Sequence, residues 1–241
     1  MRIKNIFIFI LLASMSFIIV LKKLSTDSSI TAQEIIMRMG EKYANFSSYQ
    51  DTGFIETTFV LNSGKQISRK SFKTYFVRPN LFRFEWRAQL YPESPWILCV
   101  LWSDGKDTFT YWESGKFDRM KSLLDGISAN AGVSSGGTTT VPCMLIKSGC
   151  RFTLIDLQNL SLVGEDKLEG NKCYIIKGID PKIKKKYKLW IGKKNSLLYK
   201  LESRMEFKDF LSITEERHKN IRLEEKIDKE IFNFTPLNDI K

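Results

Sequence analysis

Side chains that could carry out catalysis are few in this chain of 241 residues. The single histidine, His218, stands between two basic residues in a polar stretch, so we expect it at the surface rather than in a catalytic site. Glu215 and Glu216 are adjacent in the same stretch and do not suggest the separated carboxylate pair of a glycosidase. The sequence also lacks the G-x-S-x-G, Walker A and G-x-G-x-x-G motifs. We therefore predict a protein that is not an enzyme and uses no cofactor.

The four cysteines, Cys99, Cys143, Cys150 and Cys173, do not have the spacing of a metal site, because no C-x-x-C occurs and no histidine accompanies them. In an exported protein an even number of cysteines permits disulfides. A bond between Cys143 and Cys150 would close a small loop. Cys99 lies inside an apolar run, so we expect it as a buried free thiol. We predict no metal site and one candidate disulfide.

Two amphipathic strands joined at a turn form the most informative stretch, residues 71–90. Phe82, Phe84 and Trp86 alternate with polar residues, which is the period of two expected of a half-buried strand. A proline and an asparagine between the two halves supply the turn signal. Large aromatic rings on one face of a sheet need cover, either from a second layer or from a bound apolar molecule. The functional question is therefore what covers this face.

Residues 6–21 form a predominantly apolar run that follows Arg2 and Lys4, as in the charged and hydrophobic regions of an export signal. No small-x-small cleavage site follows cleanly, and two lysines come directly after the run. A cleaved signal peptide and a retained membrane anchor therefore both stay open. We predict residues 1–27 as signal peptide or anchor and residues 28–241 as one domain. The expected location is the periplasm or another extracytoplasmic space, with or without anchoring in the inner membrane.

The rest of the chain predicts one helix followed by a long series of strands. A capping box, T-x-x-E, precedes apolar residues at helical spacing, which predicts a helix over residues 31–44. Alternating segments separated by turn residues then predict about ten antiparallel strands. Residues 96–102 are apolar on both faces, as in a central strand covered from both sides. Near the C-terminus, residues 210–216 and 218–223 predict two separate strands.

The alternation stops between residues 120 and 151, where a helical patch, a loop rich in Gly, Ser and Thr, and an apolar patch follow one another. Long irregular insertions in a compact domain are often functional lids. Two interpretations stay open, a lid over the aromatic face and a plain excursion from the sheet.

A formal net charge of +11 permits a nucleic-acid partner, an anionic membrane surface or a solvated basic exterior. Lysines are spread along the chain except for a cluster at residues 182–188, and no nucleic-acid-binding module is recognisable. We therefore predict no nucleic-acid partner and favour a solvated basic surface.

Three short motifs follow the apolar run in a fixed order. They are S-F-K-T-Y-F-V-R-P-N-L-F-R-F-E at residues 71–85, L-W-I-G-K-K-N-S-L-L-Y-K-L-E at residues 189–202, and F-N-F-T-P at residues 232–236. This arrangement resembles the LolA-like lipoprotein-carrier and lipoprotein-sorting superfamily. The resemblance implies an α+β fold, in which a strongly curved antiparallel sheet, an unclosed barrel, wraps over an N-terminal helix and a helical lid insertion with an apolar cavity between them. Members of this superfamily carry lipoprotein acyl chains across the periplasm or sense exported lipoproteins.

These observations lead to the hypothesis of an exported, non-enzymatic protein that binds lipid or lipoprotein acyl chains in an apolar cavity, with a transport role in lipoprotein sorting. The candidate ligand-binding residues are Phe82, Phe84, Trp86, Trp96 and Trp112 in the cavity wall, and Leu123 and Leu124 in the lid. Two alternatives stay open. The aromatic side chains could instead fill a dry core, and the protein could be an anchored envelope sensor or scaffold that binds a protein partner.

Overall fold

A computed structural model describes residues 30–89, 93–146 and 149–235 of the chain. The chain from Ala32 onward forms one compact unit. The predicted signal peptide or anchor, residues 1–27, lies outside the described residues. Within the described ranges no helix is both long and apolar enough to cross a membrane.

A single antiparallel sheet of eleven strands forms the body of the protein, in the order β6-β5-β4-β3-β2-β1-β11-β10-β9-β8-β7. In chain order the strands are β1 (Ser48–Leu61), β2 (Gly64–Val77), β3 (Leu81–Gln89), β4 (Trp96–Asp104), β5 (Thr108–Trp112), β6 (Lys116–Met120), β7 (Gln158–Leu168), β8 (Asn171–Ile179), β9 (Lys186–Gly192), β10 (Leu198–Glu206) and β11 (Phe210–Leu223). The edge strands β6 and β7 do not pair with each other, so the sheet does not close into a barrel. The predicted fold class is confirmed.

In the described part of the chain three α-helices accompany the sheet: α1 (Ala32–Asn45), α2 (Leu123–Asn130) and α3 (Val141–Leu145). Short 3-10 helices span Gly137–Thr139, Leu154–Asp156 and Lys229–Phe232. The predicted N-terminal helix is therefore confirmed to within one residue at each end. Helix α1 packs against α3 and the second 3-10 helix, which places the C-terminal end of the predicted insertion next to it.

The aromatic stretch folds as two adjacent strands, β2 and β3, as its alternation predicts. In β3 the side chains of Phe82, Phe84 and Trp86 are at most 1% exposed, whereas the residues between them are partly exposed. The register places Phe72 opposite Trp86 across the two strands, so aromatic rings from both strands lie on the same inner face.

Strand β4 is covered on both faces, as its continuous apolar run predicts. On the inner face helix α2 approaches closely, since a Cβ added to Gly126 would lie 2.5 Å from Leu101 Cδ1. On the outer face the ring centroid of Trp102 lies 5.2 Å from that of Phe109 and 4.9 Å from that of Phe234. The second cover is therefore the C-terminal segment, which explains why this strand has no polar face.

The C-terminal segment, residues 229–235, crosses β3 and β4, and we call it the strap. Arg83 Nη1 donates a hydrogen bond of 2.9 Å to the carbonyl oxygen of Ile231, and the Arg83 guanidinium lies 4.9 Å from the ring centroid of Phe234. Phe232 is 1% exposed. The F-x-F ending thus supplies outer-face packing.

The prediction of two separate strands near the C-terminus was wrong, because residues 210–223 form the single strand β11. Its middle residue Arg217 pairs in register with Phe54 of β1, so the ladder is continuous across the predicted boundary, and its one irregularity lies between Gln50 and Thr52 of β1. Strand β7 is also longer than residues 160–163. It is an edge strand with polar residues on both faces, so alternation does not mark its ends.

We expect the substitution Phe232→Ala to lower the free energy of unfolding by about 3 kcal/mol, because it leaves a cavity under the strap. Urea unfolding followed by circular dichroism measures this loss. The exposed neighbour Thr235 serves as the control, since Thr235→Ala should change the same quantity by less than about 0.5 kcal/mol. Equal effects of the two substitutions would contradict the packing role of the strap.

Candidate functional site

An aromatic wall on the inner face of the sheet is the first component of the candidate site. It consists of Ile55 in β1, Phe72 in β2, and Phe84 and Trp86 in β3. The ring centroids of Phe72 and Phe84 are 5.4 Å apart and stacked, and those of Phe84 and Trp86 are 5.8 Å apart. None of these four side chains is more than 3% exposed. The wall is therefore fully covered in this structure.

The cover comes from the insertion, which we call the lid segment, residues 123–146. A Cβ added to Gly137 would lie 2.6 Å from Ile55 Cδ1 and 3.0 Å from Phe84 Cζ, so the backbone of the lid segment rests directly on the wall. Only glycine permits this approach without displacing its neighbours. Of the two interpretations of the insertion, the lid over the aromatic face is the one that the structure has.

Three side-chain hydrogen bonds join the lid segment to the sheet: Thr110 Oγ1 donates to Asn130 Oδ1 at 3.3 Å, and the other two involve charged groups of the sheet. Lys70 Nζ donates to Ser135 Oγ at 2.8 Å, and Thr140 Oγ1 donates to Glu216 Oε1 at 2.5 Å. Lys70 is 9% exposed, and burial lowers the pKa of its ammonium group. Glu216 is 1% exposed. At these two points hydroxyl-bearing side chains of the lid segment bond to charged groups of the sheet.

Beside this contact lies a buried charged cluster made of Asp51, Glu216 and His218. His218 Nδ1 lies 2.7 Å from Asp51 Oδ2, and His218 Nε2 lies 3.1 Å from Glu216 Oε1. The three side chains are at most 2% exposed. Burial by itself lowers the pKa of His218, but the hydrogen bonds and negative charges of the two carboxylates outweigh it and raise that pKa to about 9. The imidazole is therefore protonated near neutral pH and partly balances the two carboxylates.

The expectation that His218 is a surface residue was wrong. It lies on the inner face of β11 opposite Gly53, and its ring centroid is 5.4 Å from that of Phe72. Residues on both faces of this part of β11 are polar, so the alternation gave no indication of which face is buried. Gly53 is the usable signal, because a Cβ there would lie 2.3 Å from Phe72 Cζ, and a glycine inside a strand often marks such close approach.

Tyrosines from the N-terminal part of the chain extend the cluster. Tyr49 donates its hydroxyl proton to Asp51 Oδ2 at 2.8 Å, and the hydroxyl oxygen of Tyr43 accepts from the backbone N–H of Leu198 at 3.1 Å. Burial raises the pKa of both tyrosines well above the ordinary value. Thr74 Oγ1 and Asp51 Oδ1 lie on paired strands and have no hydrogen-bond partner within the described part of the protein. The inner face thus combines an aromatic wall with polar groups.

The predicted wall residues fall on two faces of the sheet. Phe82 is fully buried with Phe84 and Trp86, and Trp112 shares their face because Cys99 pairs with both Trp112 and Trp86. Trp96 stands three residues from Cys99, on the outer face, and is 46% exposed. The expectation that Trp96 shares this wall is therefore corrected. The run around it is apolar on both faces, so its periodicity could not assign the face. Ligand binding by the other residues stays a prediction.

The predicted lid residues Leu123 and Leu124 begin helix α2 and are half-buried. Farther along the insertion, Cys143 and Cys150 form a disulfide with Cα atoms 5.8 Å apart. A cavity of about 270 Å³ lies between this disulfide and helix α1, where Gly40 contributes to its lining. The disulfide therefore closes a short loop that begins near the C-terminal end of the lid segment. The small cavity beside α1 lies next to this loop.

The remaining cysteines are free and buried, which confirms the prediction for Cys99. Burial raises the pKa of the Cys99 thiol to about 12, so it stays protonated and unreactive near neutral pH. Within the described ranges no three His, Cys, Asp or Glu side chains are arranged to hold a metal ion.

No family model and no curated protein sequence matches this chain. Its fold is similar to that of a LolA superfamily protein from Nitrosomonas europaea, with 13% identity and a TM-score of 0.32 over 85% of this chain and 98% of the other. LprF from Mycobacterium bovis has 13% identity and a TM-score of 0.45 over 82% of this chain and 94% of its own.

The Pseudomonas aeruginosa MucA/MucB complex gives 13% identity and a TM-score of 0.38 over 85% of this chain and 61% of the matched one. The unclosed antiparallel sheet and the helices described above agree with the α+β fold that the resemblance implies. At these identities and TM-scores no functional residue is transferred from those proteins.

We expect protein stability to fall as pH rises from about 6.5 to about 9. The folded-state pKa of His218 is raised above its ordinary value of 6.5, so its contribution is complete below pH 6.5 and is lost as pH rises through about 9. A pKa difference of this size corresponds to roughly 3 kcal/mol. Urea unfolding at a series of pH values measures the slope.

The substitution His218→Gln provides the comparison. We expect it to lower stability at pH 6, because Asp51 and Glu216 lose their balancing charge, and to remove most of the slope between pH 6.5 and 9. A slope that is unchanged in the variant would show that another group titrates in this range.

Proposed function

We propose that this protein is an exported, non-enzymatic binding protein that takes up the acyl chain of a lipid or lipoprotein against the aromatic wall when the lid segment moves away. The observation that carries this proposal is the composition of the contact between lid and wall. Gly137 rests directly on the wall, and beside it Ser135 and Thr140 bond to Lys70 and Glu216 of the sheet. A wall of aromatic rings beneath a cover of small, hydroxyl-bearing residues fits a removable cover.

The energetics of the lid contact are compatible with such movement. Opening returns Lys70 and Glu216 to water, which can replace the hydrogen bonds from Ser135 and Thr140. A hydrogen bond to a charged group contributes about 1.5–3 kcal/mol net, so two of them oppose opening by several kcal/mol at most. An acyl chain that covers the exposed rings recovers about 0.8 kcal/mol for each buried CH₂ group. About four to eight buried CH₂ groups therefore offset these two hydrogen bonds.

Export and a transport role complete the proposal. The apolar run at residues 6–21 supports export, and the three motifs that resemble the lipoprotein-sorting superfamily support an acyl ligand. Whether residues 1–27 are removed decides between a shuttling carrier and an anchored receptor.

The first test compares two tryptophans on opposite faces of the sheet. The chain from Ser28 onward, exported and purified without detergent, is examined by native mass spectrometry and organic extraction. We expect co-purified acyl lipid with the native chain and with Trp96→Ala. Loss of that lipid is expected with Trp86→Ala and a partial loss with the milder Trp86→Phe. Folded Trp86 variants that retain all of the lipid would refute the wall as its binding site.

The second test concerns the lid. We expect Thr140→Val to weaken lid closure by about 1–3 kcal/mol, because Glu216 loses a buried hydrogen bond, and so to raise the uptake rate of a fluorescent fatty acid. Stopped-flow fluorescence measures this rate. Thr139→Val is the matched control, because the Thr139 hydroxyl bonds to the carbonyl oxygen of Gly136 inside the lid segment. Equal rates for the two variants would contradict a fastened lid.

A second candidate function, binding of an envelope protein, is favoured by a groove of about 650 Å³ on the outer face. Its lining includes Phe54 and Arg87. The same two residues also line a neighbouring groove, and the exposed Trp96 lines that second groove. Arg87 has no ion-pair partner within the described ranges. Exposed Trp and Arg side chains are the residue types that dominate protein–protein binding energies.

A photocrosslinking amino acid tests this second candidate in living cells of the source organism. We expect a discrete protein adduct when it replaces Trp96 and none when it replaces Phe117, which is equally exposed on the outer face. The same adduct pattern from both positions would show that exposure alone, rather than the groove around Trp96, determines the reaction.

A further inference from the structure

A second charged region lies on the outer face of β8, β9 and β10, opposite the lid and independent of the proposed acyl-binding function. A groove of about 520 Å³ runs across these strands. Four of its lining residues are cationic, namely Lys177, Lys186, Lys188 and Arg204, and one, Glu202, is anionic. The groove includes two lysines of the lysine-rich segment at 182–188, which neither proposed function uses.

The strand register places like charges directly opposite each other in this groove. Lys177 of β8 pairs with Lys188 of β9, and Lys186 of β9 pairs with Arg204 of β10. Like charges at directly opposite positions of neighbouring strands destabilise a sheet. On other parts of the outer face opposite charges meet, as where Arg69 Nε lies 2.7 Å from Glu56 Oε2. The groove therefore keeps an arrangement that costs folding energy.

Carboxylates of the protein compensate for little of this charge. Lys186 and Arg204 both approach the same oxygen of Glu206, at 3.6 and 3.5 Å, and that side chain is 63% exposed. Glu202 lies opposite Lys188 in the strand register, but its carboxylate is bound by Lys200 at 2.7 Å. Within the described ranges Lys177 and Lys188 have no carboxylate within ion-pairing distance. An external anion would relieve both facing pairs.

The spread of these cations indicates the size of the anion. Neighbouring strands lie about 4.8 Å apart, so cations on β8 and β10 are separated by about 10 Å across the sheet. One small phosphate cannot touch all of them. Ile213 lines the groove, is 36% exposed and pairs with Arg204. On the other side Ile213 pairs with Thr58 of β1, and Thr58 pairs in turn with Ile67 of β2, which is 52% exposed. Cations beside exposed isoleucines suit the interface of a membrane.

We infer that this face docks on an anionic membrane surface, with the four cations against lipid phosphates and Ile213 at the level of the head groups. Anionic lipids attract clustered Lys and Arg side chains, and the attraction falls with added salt. Docking brings the protein to the surface from which an acyl ligand must come, while the lid on the opposite face stays free to open.

Vesicle co-sedimentation tests the inference with the chain from Ser28 onward, since the compact unit begins at Ala32. One set of vesicles is pure phosphatidylcholine and the other contains about 30% phosphatidylglycerol. We expect binding to the anionic vesicles only, weakened by salt. The double substitution Lys177→Glu with Lys186→Glu should lower this binding at least about tenfold.

The matched control is Lys106→Glu with Lys121→Glu, which changes the net charge equally at two exposed lysines elsewhere. We expect that variant to bind within about twofold of the native chain. The groove variant turns both facing pairs into opposite-charge pairs, so its melting temperature should not fall and lost binding cannot be ascribed to misfolding. Equal losses in the two variants, or equal binding to neutral vesicles, would overturn the inference. So would tight binding of soluble glycerol phosphate without vesicle binding.

Discussion

The pairing of β1 with β11 is the constraint on which the rest of this structure depends. It is the only ladder that joins strands β1–β6 to strands β7–β11 in the described sheet. It also buries Asp51, His218 and Glu216 next to one another. Buried charges are tolerated when each is paired, and here one protonated imidazole serves two carboxylates. The pairing that joins the two halves of the sheet, which we call the seam, thus also holds a buried charged cluster.

The lid segment is bound to strand β11 at this seam. Glu216 accepts the hydrogen bond of Thr140, so the same carboxylate takes part in the buried cluster and in fastening the lid segment. Gly137 lies on the aromatic wall next to that point. The contact of the lid segment and the buried charged cluster therefore share one side chain, Glu216.

The two faces of the sheet are specialised in different ways. The inner face holds the aromatic wall, the buried charged cluster and the lid segment. The outer face carries the C-terminal strap at one end and a basic groove at the other. A protein that takes its ligand from a membrane needs both an enclosed apolar surface and a means of approach, and opposite faces allow the two to work at once.

Much of the fold could be predicted from local sequence. Alternation in β2 and β3 identifies the buried aromatic residues, because a half-buried strand requires a period of two. The helix α1 has its capping box, and the insertion is visible as the place where alternation stops. Trp96 and His218 could not be assigned to a face in this way. The run around Trp96 is apolar on both faces, and the stretch around His218 is polar on both.

The sequence by itself therefore determined the number and type of most elements, the aromatic inner face and the cysteines able to form a short loop. Only the tertiary structure decided which residues from distant segments meet. Asp51 and His218 are 167 positions apart, and Thr140 and Glu216 are 76 apart. Local periodicity records whether a strand has a buried face. Which strand lies beside it, and which charges then share that face, follows from long-range pairing.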